Sequence, residues 1–218
     1  MSAVIPVKPL PGALGRLAGR LDAPRRRLLQ EAMLGDVLSA CAAAEGLGEV
    51  IVVTADPDVA ALVRAGGARV VRDHDPPRGM NAAVVVGLVA AADAGADAAL
   101  VLTADLPLAG AADIEAVLRA APGASSAVLV PSRDGTGTNA MLLTPPGALR
   151  PELGPHSLRR HLAQAARRGL TVRRLDVPGL ALDIDTPQDL AALVASGRSC
   201  AARTVAQDPA VLAAGGTR

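Results

Sequence analysis

Short, continuous apolar runs punctuate this chain, and between them apolar residues recur at three- and four-residue spacing. The runs at 3–7, 50–54, 68–71, 99–103, 127–130, 139–144 and 171–177 read as strands. The segments between them read as helices. Asp22 caps the first, with Pro24 in its opening turn, and Leu28, Leu29, Met33, Val37 and Leu38 carry its apolar stripe to about residue 44. Asp56 and Pro57 open a short helix; further helices are expected at 81–92, 111–120, 157–168 and 187–196. Strands that are apolar throughout, rather than alternating, are buried on both faces. Strand–helix alternation of this kind predicts an α/β fold, a mostly parallel sheet flanked by helices. The turn at Asp134 and Gly135 adds a local antiparallel piece. Residues 1–196 read as one domain, and residues 197–218, without a clear period, as a loosely ordered tail.

Composition narrows the function classes. Of 218 residues, 50% are hydrophobic and 20% charged, with net charge +1, which excludes general disorder and gives no global basic field for nucleic acid. Phe, Tyr and Trp are absent, so the core must be built from Leu, Val, Ile, Ala and Met, and aromatic stacking platforms for single strands are missing. Lys8 is the only lysine among 22 basic residues. Cys41 and Cys200 lie too far apart in sequence for a CxxC metal site or a disulfide framework. The opening lacks the basic region of a signal peptide, and the longest apolar run, 82–92, falls short of the roughly 18 residues a membrane span needs. A cytoplasmic protein with no nucleic-acid or membrane partner is expected.

In open α/β sheets ligands bind beyond the carboxyl ends of the strands, at a switch point in strand order. Several polar groups follow predicted strands. Lys8 to Leu17 (KPLPGALGRL) is a glycine-containing loop whose Lys8 and Arg16 suit a polyphosphate, though an ordinary Pro/Gly loop with exposed cations has the same look. It lacks the spacing of an ATPase P-loop and of a GxGxxG dinucleotide loop. Asp105 ends the strand-like run at 99–103, where a carboxylate would face the crevice as a Mg²⁺ ligand or serve as a turn residue. Asp183 and Asp185 fall on one side of an extended segment; Asp183 is assigned to metal, and Asp185 or Thr186 to capping the helix at Pro187. Arg133 to Asn139 (RDGTGTN) is either a plain hairpin turn or an anion receptor whose two hydroxyls and free backbone N–H groups suit a carboxylate or phosphate. Gly154 to Ser157 opens a helix, with Ser157 as the expected N-cap, and its unpaired N–H groups suit an anion or are simply capped. His156 reads as a surface loop residue, and no Ser–His–Asp set or cysteine nucleophile is evident. Asp56, after a strand, and Asn81, at a helix start, are candidates for a nucleotide base pocket by position alone. Such an inventory fits phosphoryl or nucleotidyl transfer, in which positioning and charge neutralisation do most of the work.

The ordered set VKPL at 7–10, Arg16-Leu17, MLGDV at 33–37, ADP at 55–57, GMNA at 79–82, ADLP at 104–107, GTGTN at 135–139, GPHS at 154–157 and DIDTP at 183–187 resembles the 2-phospho-L-lactate/phosphoenolpyruvate guanylyltransferases of coenzyme F420 biosynthesis. The resemblance spans roughly residues 3–196. It implies a Rossmann-like nucleotidyltransferase fold of the GT-A type, GTP as donor, Mg²⁺ as cofactor and a three-carbon phospho-acid as acceptor. Phosphoenolpyruvate is the first expectation for that acceptor, with 2-phospho-L-lactate and 3-phospho-D-glycerate as alternatives. It also implies metal carboxylates at Asp105 and Asp183, acceptor contacts at Thr138, Gly154 and Ser157, and triphosphate contacts at Lys8 and Arg16, Lys8 with a catalytic share. A homodimer and hand-over of the product to the next enzyme of the pathway are open expectations. One departure stands at Leu14, where family members often carry Lys. Two rivals differ in class. Molybdopterin guanylyltransferases and cytidylyltransferases of related fold open with a glycine-rich LAGGxSxRMG-type loop, whereas residues 4–9 here are VIPVKP. A nucleotide-binding protein of the same fold without activity would keep the loop and lose turnover.

Overall fold

The computed structural model describes residues 1–10, 14–208 and 211. Seven strands form one sheet: β1 (Ser2–Pro6), β2 (Val50–Thr54), β3 (Arg69–Arg72), β4 (Ala99–Leu102), β5 (Ser126–Pro131), β6 (Thr138–Thr144) and β7 (Thr171–Arg174). Their order is β3-β2-β1-β4-β6-β5-β7. All pairings are parallel except those of β6, which runs antiparallel between β4 and β5. The mostly parallel sheet and the antiparallel piece beside the Asp134-Gly135 turn are both as the hydrophobic pattern predicts.

The helices are α1 (Ala23–Ala43), α2 (Pro57–Ala65), α3 (Met80–Asp93), α4 (Ala111–Arg119), α5 (Ser157–Arg168), α6 (Pro178–Ala181), α7 (Pro187–Ala195) and α8 (Ala201–Ala206). Strand side chains alternate between faces. Ile5, Val52, Leu100, Leu102, Val128 and Leu142 pack with α1, α2 and α4 on one face. Val4, Val53, Val101, Leu129, Met141 and Leu143 pack with α3 and α5 on the other. Burial on both faces is why the strand runs are apolar throughout. Among the described residues no helix is long and apolar enough to cross a membrane.

Caps fall where the residue chemistry places them. The Asp22 carboxylate accepts the Arg25 N–H at 2.9 Å to start α1, and Thr186 with Asp189 forms a capping box on α7. Two segments depart from expectation. The last strand stops at Arg174 rather than residue 177, because Pro178 starts α6. The described part of the expected tail is ordered: the Asp36 carboxylate accepts the Ala201 and Ala202 N–H groups at 2.8 and 2.9 Å, holding α8 against α1. Ala202, Ala206 and Val211 are buried with Leu29, Met33, Leu190 and Leu193 in a third apolar cluster. That cluster needs the chain's end to close it. The expected tail residues 209, 210 and 212–218 lie outside the described residues.

Candidate active site

The strand order sets where a ligand can sit. From β1 the chain builds outward through β2 and β3, then returns to place β4 on the other side of β1. Loops leaving β1 and β4 therefore diverge and leave a crevice between them. Because β6 is antiparallel, its first residues lie at the same edge: Leu102 pairs with Ala140, and Pro131 with Thr138. A cleft of about 550 Å³ opens there, lined among others by Lys8, Arg16, Asp105, Thr138, Gly154, Ser157 and Asp183.

Asp105 lies just beyond the end of β4. Its Oδ1 is buried without a hydrogen-bond partner, and so is Thr103 Oγ1 beside it. Burial, with the Asp183 charge adding to it, pushes the Asp105 carboxyl up to about 6. Burial also raises Asp183. Asp183 is held by Asn139, whose Nδ2 donates to its Oδ1 at 3.2 Å and to the carbonyls of Leu180 and Ala181 at 3.1 and 3.0 Å. An orphaned buried oxygen beside a second, oriented carboxylate is a set of hard donors suited to Mg²⁺. Among the described residues no group of three or more His, Cys, Asp or Glu converges on a metal position.

Cations stand at the mouth. Lys8 is exposed directly after β1. Arg16, in a 3-10 turn at Gly15–Leu17, forms an ion pair with Asp185 across the opening. Residues 11–13 of the predicted phosphate loop lie outside the described residues. Leu14 is left-handed (φ 52°), and its side chain packs against the third apolar cluster.

The 132–137 turn is largely self-satisfied. Asp134 accepts from the Thr136 N–H at 2.9 Å and the Thr136 hydroxyl at 2.8 Å, and Gly137 N–H donates to Ser132 Oγ at 2.7 Å. These donors and the Ser132 hydroxyl hold the Asp134 carboxyl well below the usual range. The expectation of free backbone N–H groups is corrected accordingly: those of Thr136 and Gly137 are spent within the turn, as is the Thr136 hydroxyl, while Thr138, 3.1 Å from His161 Nδ1, lines the cleft.

Ser157 is not the N-cap. His156, left-handed at φ 58°, takes that position and makes Ser157 the first residue of α5. The Ser157 hydroxyl, freed from capping, is buried with no partner on the cleft wall. Gly154, at φ +120°, adopts a conformation that favours glycine. The preceding segment is held by side chains: Asn81 bonds both the N–H and the carbonyl of Leu153 (2.7 and 3.2 Å), Gln164 bonds the N–H and the carbonyl of Arg150, and Arg160 donates to the Glu152 carbonyl at 2.7 Å.

The two base-pocket candidates are placed elsewhere. Asp56 is buried, caps α2 through the Asp58 N–H at 2.9 Å and accepts the Leu10 N–H at 2.8 Å. Asn81 is spent on Leu153. Neither lines the cleft, because each short polar side chain satisfies nearby backbone. Asn139 and His161 carry contacts that the linear pattern did not single out. For His161 a signal existed: Ser157, His161 and Gln164 are polar residues on the buried stripe of an amphipathic helix.

The family described as "Guanylyl transferase CofC like" matches residues 1–207. A protein of Conexibacter woesei named phosphoenolpyruvate guanylyltransferase is 44% identical over 93% of this chain and 92% of its own. One of Phenylobacterium zucineum named 3-phospho-D-glycerate guanylyltransferase is 39% identical over 93% and 92%. Among solved structures, a nucleotidyl transferase of Methanothermobacter thermautotrophicus superposes with a TM-score of 0.62 at 23% identity, covering 88% of this chain and 94% of that one, and so shares the fold.

Proposed function

Since the chain belongs to the CofC-like guanylyl transferase family, we propose that it transfers GMP from GTP to a small phospho-acid, phosphoenolpyruvate first, and releases pyrophosphate. One observation carries this reading. Two half-buried carboxylates (Asp105 and Asp183), the Thr138 and Ser157 hydroxyls and two cations share one cleft beyond the strand ends. The relatives' names supply the acceptor class, and on this reading the product would serve coenzyme F420 biosynthesis.

The acceptor's phosphate is mostly ionised at neutral pH, with a second pKa near 6. Its oxygen can attack the α-phosphorus of GTP without a general base. The bond from that phosphorus to the bridging oxygen breaks, and pyrophosphate carries off the electron pair. Lys8 and Arg16 would neutralise the triphosphate, Arg16 by leaving its exposed partner Asp185; such a pair is worth at most about 1 kcal/mol and yields easily. Thr138, Gly154 and Ser157 would hold the acceptor in line, where orientation supplies much of the rate. Mg²⁺ held by Asp105 and Asp183 would supply charge neutralisation at the reacting phosphates.

The test is pyrophosphate release from GTP, measured in parallel with phosphoenolpyruvate, 2-phospho-L-lactate and 3-phospho-D-glycerate. The expected result is the highest kcat/KM with phosphoenolpyruvate. A preference for 3-phospho-D-glycerate would move the acceptor assignment, and GTP binding without release on any acceptor would overturn the enzymatic reading.

A further inference from the structure

His161 is fully buried beneath the cleft, and both its ring nitrogens are engaged. The Glu152 backbone N–H points at Nε2 at 3.0 Å. Nδ1 lies 3.1 Å from Thr138 Oγ1. A backbone N–H can only donate, so Nε2 must be the unprotonated acceptor. A neutral ring then carries its proton on Nδ1 and donates it to Thr138 Oγ1. One of that oxygen's two lone pairs is thereby occupied, and the hydroxyl's own hydrogen is left to point away, toward the cleft that Thr138 lines.

We propose that His161 is a positioning residue which fixes the Thr138 hydroxyl as a hydrogen-bond donor to an anionic oxygen of the acceptor. The inference rests on the reading of this cleft as an acceptor site. It adds a reason for anion selectivity: a hydroxyl whose hydrogen is aimed into the cleft favours phosphate or carboxylate oxygens over donor groups. Neutrality of the ring is secured by its surroundings. Burial brings His161 from its ordinary 6.5 down to about 4, with the charges of Glu152 and Arg160 nearby acting in opposite directions. The ring also connects two acceptor elements, since the same imidazole that orients Thr138 on β6 holds the segment leading to Gly154 and Ser157.

Two measurements test this on the full-length protein. In ¹⁵N-histidine-labelled protein at neutral pH, NMR is expected to show His161 protonated on Nδ1 and bare on Nε2; the reverse tautomer overturns the proposal. In kinetics, His161→Gln keeps an acceptor for the Glu152 N–H but removes the donor to Thr138. It is expected to raise the acceptor's KM roughly 10- to 100-fold, the worth of one hydrogen bond to a charged group, with the KM for GTP unchanged. His161→Asn restores a donor near Nδ1 and is expected to recover much of the loss. Thr138→Val is expected to raise the same KM, and His161→Gln added to it should cost nothing further, because the two act as one unit. Thr138→Ser, which keeps the hydroxyl, is expected to stay near wild type. Additive effects in an active enzyme overturn the role of His161 alone. Absence of turnover by the wild type with every acceptor overturns the reading of the cleft, and this inference with it.

Discussion

A carboxylate with one oxygen shielded from water and unpartnered is destabilising while it is charged, and Asp105, half-buried on the cleft wall just beyond β4, holds its Oδ1 in that state. Asp105→Asn removes the charge and keeps the shape. In metal-free protein at pH 8 it is expected to stabilise the fold by roughly 1–3 kcal/mol in urea unfolding, while activity falls at least about 100-fold. Near-full activity in that variant would defeat the metal assignment. The same residue opposes His161 in its pH dependence. Asp105, raised from 3.8 to about 6, holds a proton in the folded state that the unfolded chain has released, so its contribution weakens as pH rises through that window. His161, lowered from 6.5 to about 4, refuses a proton that the unfolded chain accepts, so its contribution is full above 6.5 and lost as pH falls toward 4. The two slopes partly cancel in the wild type. Stability of Asp105→Asn is therefore expected to climb with pH between 4 and 6 more steeply than wild type, by up to about 1.4 kcal/mol per pH unit. Parallel curves would show that Asp105 does not titrate in that window.

At the scale of elements, α3 approaches β1 and β2 closely at Gly87, between Val84 and Leu88 of the buried face. A Cβ on Gly87 would sit 2.3 Å from Val4 Cγ1 and 3.0 Å from Val53 Cγ2. Gly87→Ala gains about 1 kcal/mol of helix propensity but must push α3 off two rigid β-branched side chains. A net loss of roughly 1–3 kcal/mol is expected in denaturant unfolding, and a stabilised variant would contradict the close packing. The sheet was legible in the sequence for a related reason. Strands buried on both faces leave uninterrupted runs such as Val50–Thr54 and Ala99–Leu102, and proline or acidic caps mark the helix starts. What escaped depends on contacts far along the chain. α8 is fixed by Asp36, 165 residues from Ala201, and α6 is a four-residue turn with no period to read. The candidate site divides in the same way. Lys8, Arg16, Asp105, Asp183, Thr138, Gly154 and Ser157 share one cleft because the loops and helix start that carry them gather beyond the same edge of the sheet. Asp56 and Asn81 occupy equally suggestive positions, yet their side chains are consumed by backbone at Leu10, Asp58 and Leu153. Whether a polar side chain is spent or free depends on which backbone group lies beside it, and one-dimensional spacing does not contain that.

For the whole molecule, a net charge of +1 conceals a polarised cleft. Asp105, Asp134, Asp183, Asp185 and Asp189 line the opening, while Lys8, Arg16 and Arg133 supply the positive charge. Two of those cations are already engaged, Arg16 with Asp185 and Arg133 with Asp189, the latter at 2.9 Å. With those pairs set aside, a triphosphate entering alone would meet the carboxylates of Asp105, Asp134 and Asp183 with one cation, Lys8, outside the ion pairs found among the described residues. A divalent cation entering alone would find two carboxylates and a shell otherwise filled by water. Each ligand therefore supplies the charge that the other lacks, and their binding should be coupled, equally in both directions. Titration calorimetry is expected to show GTP binding about tenfold or more tighter with Mg²⁺ present, and Mg²⁺ binding tighter by the same factor with GTP present, a coupling of at least about 1.4 kcal/mol. In Asp183→Asn the coupling should shrink while GTP affinity without Mg²⁺ holds or improves, because a repulsive charge has gone. Equal Mg²⁺ affinity with and without GTP would mean that the protein builds its metal site unaided, against the two-carboxylate arrangement described here.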